Sequence, residues 1–86
     1  MYKLELAKSS VKALQRFDKQ AQEQIYKALE ILKANPFQAS NIKKLKGELK
    51  GRFRYRTGDL RIIYKVDGET KTVFVEAIGS RGSVYR

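Results

Sequence analysis

Arg52-Phe53-Arg54-Tyr55-Arg56-Thr57-Gly58-Asp59-Leu60-Arg61 reads as a strand, a turn and the start of a second strand. Side chains on a strand alternate between faces, so Phe53 and Tyr55 point one way and Arg52, Arg54 and Arg56 the other. Taking Thr57-Gly58 as a two-residue loop pairs Arg56 with Asp59, Arg54 with Arg61 and Arg52 with Ile63. Directly opposed residues share a face, so Arg52, Arg54, Arg56 and Arg61 converge, and Phe53, Tyr55, Leu60, Ile62 and Tyr64 line the other side. A loop one residue longer would put Arg54 opposite Ile62 and mix polar with apolar on both faces, so the hydrophobic pattern favours the shorter one. A row of guanidinium groups has no use in an apolar core but suits phosphate, to which each fork donates two hydrogen bonds. Arg54 directly opposite Arg61 is a like-charge pair that costs stability unless an anion neutralises it.

The elements around this hairpin complete one sheet. Tyr2, Leu4 and Leu6 alternate with Lys3 and Glu5, the pattern of a first strand with one buried face. Ser9 or Ser10 offers an N-cap for a short helix carrying Val11 and Leu14, with Phe17 just beyond. Asp18 caps a longer helix in which Ala21, Ile25, Ala28, Leu29 and Leu32 recur at helical spacing, and Asn35-Pro36 ends it. Residues 37–50 read as a lysine-rich loop from which Leu45 and Leu49 dip toward the core. Strands follow at about 51–57, 60–67 and 71–79, with a tight turn at Asp67-Gly68. The expected fold is α+β in the order β-α-α-β-β-β: a small antiparallel sheet of about four strands with an N-terminal helical hairpin packed on one face, a single domain over 1–86.

Composition narrows the chemistry. The 86 residues carry a net charge of +10. Residues 43–65 hold nine Lys/Arg against two acids, +7 of that total in about a quarter of the chain. Such a balance favours polyanions. Cysteine and histidine are both absent, which removes thiolate chemistry, the commonest metal ligand and the commonest general acid/base. No apolar run approaches the ~20 residues of a membrane span, and the N-terminus is too mixed for a signal peptide. The expectation is a cytoplasmic protein that calls for no cofactor.

Leu45-Lys46-Gly47, the run Gly51–Tyr64 and Gly79-Ser80-Arg81-Gly82-Ser83-Val84-Tyr85 together resemble the RelE/ParE superfamily of bacterial toxins, over essentially the whole chain. The Arg81-x-x-x-Tyr85 ending is similar to the RelE-like mRNA interferase branch. That resemblance implies the toxin of a type II toxin–antitoxin system, which enters the ribosomal A site of the small subunit and cuts mRNA there. The ribose 2′-OH attacks the adjacent phosphate, leaving a cyclic phosphate and a 5′-OH, without a metal. An antitoxin with an acidic, helical segment covers the basic face.

Residue by residue, the resemblance gives Arg52 and Arg54 as the two basic positions of the second strand and Arg61 as the transition-state arginine. Arg81 becomes the proton donor to the leaving oxygen, and Tyr85 the residue that stacks on or orients the substrate. Arg54, Arg61, Arg81 and Tyr85 are thus the catalytic candidates, and Lys43, Lys44, Lys46, Lys50, Arg52 and Arg56 the RNA-binding ones. The chain departs from the family where a lysine, the proposed base, and a histidine commonly stand: arginine holds the first place and Ser80 the second. Arginine's pKa of ~12.5–13.8 leaves it a poor proton acceptor at neutral pH, so these arginines suit electrostatic clamping, with Tyr85 and then Lys50 left as bases. Two other readings stay open: a ParE-like inhibitor of DNA gyrase, which shares much of the arginine–turn stretch, and a relative that binds nucleic acid without cutting it.

Overall fold

The computed structural model describes residues 1–80. The chain runs β1 (Lys3–Leu6), α1 (Lys8–Arg16), α2 (Lys19–Ala34), β2 (Ile42–Lys44), a 3-10 turn (Gly47–Leu49), β3 (Phe53–Thr57), β4 (Leu60–Asp67) and β5 (Thr72–Ser80). The α+β class and the helical hairpin on one face are as read from the sequence. The strand count and pairing differ: five strands lie in the order β1-β5-β4-β3-β2, and β1 runs parallel to β5 while every other neighbour is antiparallel. The extra strand, β2, comes from the stretch read as a loop. Three residues, two of them lysines, are too few to show an alternating pattern, and the strand exists because β3 offers it a partner edge.

Asp18 caps α2 as its sequence position indicates, accepting a hydrogen bond from Ala21 N at 2.8 Å. α1 is different. Its N-cap is Ala7, which provides no side-chain hydrogen bond. Ser10 is instead fully buried and donates to Val75 O at 3.2 Å, and Ser9 donates to Glu76 O at 3.3 Å. Both hydroxyls fasten the helix to β5 rather than closing its first turn.

The core lies between the helices and one sheet face. Ile25, Leu32, Ile62, Tyr64, Val73 and Val75 are fully buried there, each apolar side chain contributing roughly 1.5–3 kcal/mol by leaving water. Tyr64 donates its hydroxyl to Pro36 O at 2.7 Å and stacks on Phe53, which meets Phe37 edge-on. Leu45 and Leu49 are half-buried around the 3-10 turn and stay outside this cluster. The connection expected to be tight at Asp67-Gly68 is a longer loop over 68–71, in which Asp67 Oδ1 accepts from Glu69 N and Thr70 N.

The β3–β4 hairpin keeps the expected faces but not the expected partners. Its loop is Gly58-Asp59: Thr57 pairs with Leu60, Arg56 with Arg61 and Arg54 with Ile63. Positive φ falls on Gly58 (60°) and not on Asp59, the pattern of a type II′ turn, which puts glycine first. A Thr57-Gly58 loop would have asked a β-branched residue to take that place. The slip is two residues, so face membership is unchanged. No helix among the described residues is long and apolar enough to cross a membrane.

Candidate nucleic-acid interface

The face without helices carries the arginines. β3 and β4 bring Arg56 and Arg61 directly opposite each other, and Arg54 lies opposite Ile63 in the next row. On the outer side, Lys43 of β2 pairs with Arg54. Arg54, Arg56 and Arg61 form no ion pair among the described residues. The like-charge pair read as Arg54–Arg61 is therefore Arg56–Arg61, with Arg54 beside it. Ile63 is 3% exposed although it belongs to this face; Arg54 and Arg61 beside it are half-buried, and Arg56 is exposed.

Arg54 is half-buried, and its Nε is buried without a hydrogen-bond partner among the described residues. A buried donor left unpaired costs free energy, and an anion that accepts from it removes that cost. Beside it, Ser40, Asn41, Arg54 and Arg56 line a polar cleft of ≈ 280 Å³. Asn41 shapes this cleft from both sides: its carbonyl accepts from Arg56 N at 3.1 Å, and its side-chain amide donates to Arg56 O.

The other candidates separate in space. Arg52 does not stand free with the rest. Its Nε and Nη2 both reach the Glu76 carboxylate, and that hydrogen bond, helped by the opposite charge, raises the guanidinium pKa further. Lys44 pairs with Phe53 and so belongs to the helix-bearing face. With Lys46, Lys50 and Arg52 it rims a groove of ≈ 390 Å³ floored by Leu45 and Phe53 at the start of β3. Arg81 and Tyr85 lie outside the described residues.

Glu76, Ser40 and Asn41 were not singled out from the sequence. For Glu76 a signal exists, one acid inside the apolar run Val73–Ile78. For Ser40 and Asn41 there is none, because their place depends on β2 pairing with β3.

The strand–helix–helix–meander fold has known relatives. The family described as "ParE toxin of type II toxin-antitoxin system, parDE" covers residues 4–85. The chain belongs to this family. As a toxin of the RelE/ParE superfamily, it resembles solved relatives along nearly its whole length. The archaeal RelE–RelB complex from Pyrococcus horikoshii is 30% identical, covers 95% of this chain and 97% of its own, and superposes with a TM-score of 0.82. The YoeB/ParE toxin from Agrobacterium tumefaciens is 27% identical, with coverage of 92% and 98% and a TM-score of 0.81. The RelBE2 complex from Mycobacterium tuberculosis is 25% identical, with coverage of 93% and 98% and a TM-score of 0.83. Comparison with the curated proteins finds no match.

Proposed function

We propose that this toxin is a metal-independent endoribonuclease that cuts mRNA in the ribosomal A site and so stops translation. The observation that carries the reading is the group Arg54, Arg56 and Arg61 on one open face, without acidic partners among the described residues and with a buried, unpaired Arg54 Nε.

The chemistry asked of these residues is electrostatic. The 2′-oxygen attacks phosphorus, the bond from phosphorus to the 5′-oxygen breaks, and charge accumulates on the equatorial oxygens in between. Preorganised guanidinium groups lower the energy of that charge most where water is excluded, and the half-buried Arg54 and Arg61 beside buried Ile63 come nearest to that condition. Arg61 and Arg54 clamp the phosphate, Arg81 gives a proton to the leaving oxygen, and Tyr85 orients the substrate and is the foremost candidate to take the 2′-proton. Arg56 and Lys43 hold flanking phosphates, while Lys44, Lys46 and Lys50 contact ribosomal RNA. The cognate antitoxin covers the arginine face with an acidic, helical segment. Two of the relatives above were solved as toxin–antitoxin complexes, and the net charge of +10 supports an acidic partner.

The test adds purified toxin to a translating extract and maps mRNA 5′ ends beside a ribosome-free control. Cleavage that needs ribosomes and falls at least a hundredfold in Arg61→Ala (the order of one lost transition-state donor) is the expected result. Intact mRNA with continued protein synthesis sinks the proposal. The match to a family described as ParE favours one second reading, inhibition of DNA gyrase without RNA cleavage. Supercoiling blocked by the same preparation would select it.

A further inference from the structure

The open face is not uniformly basic. Between β4 and β5, Ile63 faces Ala77 and Tyr64 faces Val75, so Glu76 of β5 sits in a bulge without a cross-strand partner. The bulge is held from the helix side, where Ser9 Oγ donates to Glu76 O at 3.3 Å. The Glu76 side chain projects onto the arginine face and is 22% exposed. It accepts from both Nε and Nη2 of Arg52, and Lys65 Nζ lies 3.7 Å from its Oε2. A carboxylate held in this way fills the fork that a phosphate would otherwise use. A phosphate approaching Arg52 must break a charge-assisted pair and then sit beside the carboxylate it displaced.

We infer that Glu76 is a positioning residue for bound polyanion: it occupies the Arg52–Lys65 end of the face and confines phosphate to the Arg54–Arg56–Arg61 end. The inference rests on the phosphate-binding part of the proposed function and does not depend on cleavage. Arg52 then adds nothing to the count of phosphate contacts, although in the sequence it continues the alternation of Arg54 and Arg56.

The salt dependence of binding reads that count directly, at ~0.7 in the slope of log K against log salt per phosphate contacted on a single strand. The experiment titrates a labelled single-stranded oligoribonucleotide with wild type, Arg52→Gln, Glu76→Gln and the double variant across a salt series, and thermal melts check that each is folded. Arg52→Gln is expected to keep the wild-type slope. Glu76→Gln, close in shape, frees one or both cations and is expected to steepen the slope by ~0.7–1.4. Adding Arg52→Gln to it should take ~0.7 back. A wild-type slope that falls by ~0.7 on Arg52→Gln alone, or a Glu76→Gln slope equal to wild type, overturns the role of Glu76 and leaves phosphate binding standing. No salt-dependent binding by wild type or by Glu76→Gln overturns phosphate binding and this inference with it. If Glu76→Gln does not fold, Arg52→Gln alone decides.

Discussion

Tyr64 shows how far a single side chain is committed by its surroundings. Its ring is fully buried, and its hydroxyl donates to Pro36 O at 2.7 Å, tying the segment after α2 to the middle of the sheet. Burial, with a smaller contribution from Tyr55, pushes the phenol well above its ordinary pKa of 10.0. The folded state therefore holds the phenolic proton more tightly than the unfolded chain does. That stabilisation is complete below the unfolded pKa and is lost as pH rises beyond it. Tyr64→Phe should cost about 1 kcal/mol at neutral pH, the net worth of one hydrogen bond. It should also flatten the loss of stability above pH ~10. Urea midpoints of both proteins at pH 7 and pH 11 check the two statements. A steeper alkaline loss in the variant would contradict the second.

Among the elements, the β3–β4 hairpin decides which arginines meet. Its loop places Gly58 at φ 60°, a conformation that costs an L-residue roughly 1–3 kcal/mol. A Cβ there would meet only the Gln24 side chain, at 3.7 Å, so space is not the obstacle. Gly58→Ala is expected to lower stability by about 1–3 kcal/mol in a denaturant titration while leaving the salt slope of oligoribonucleotide binding unchanged, since no charge moves. A changed slope would mean that the pairing of Arg56 with Arg61 had shifted. The β5 bulge plays the matching part at the other end of the face. It lets Val73 and Val75 face the core on one side of Glu76 and Ile78 on the other, although strict alternation would have turned Ile78 outward.

For the molecule as a whole, the helices bury one sheet face and leave the charge on the other. Repulsion between Arg56 and Arg61 persists until an anion arrives, so binding an anion should stabilise the fold by mass action. Tripolyphosphate is expected to raise the melting temperature by several degrees, since about 1 kcal/mol is worth roughly 4–8 °C in a domain of this size. Sodium chloride of equal ionic strength should do less, and Arg61→Ala should show a smaller rise. Equal shifts for phosphate and chloride would indicate general screening of the +10 charge rather than a site.

Much of this was legible in the residues because it depends on local pattern. Alternation in residues 52–64 assigned every arginine to one face and Phe53, Tyr55, Leu60, Ile62 and Tyr64 to the other, and a two-residue error in register could not disturb that, because the side-chain period is two. The Asp18 cap and the apolar spacing of α2 were equally local. What pairing across the sheet decided could not be read along the chain. The existence of β2 depends on the free edge of β3, and the parallel lie of β1 beside β5 on where the meander finishes. Arg52 looked like its neighbours in sequence, yet it is neutralised by Glu76, 24 residues further on, because the pairing of β5 with β4 brings that carboxylate onto the same face of the sheet.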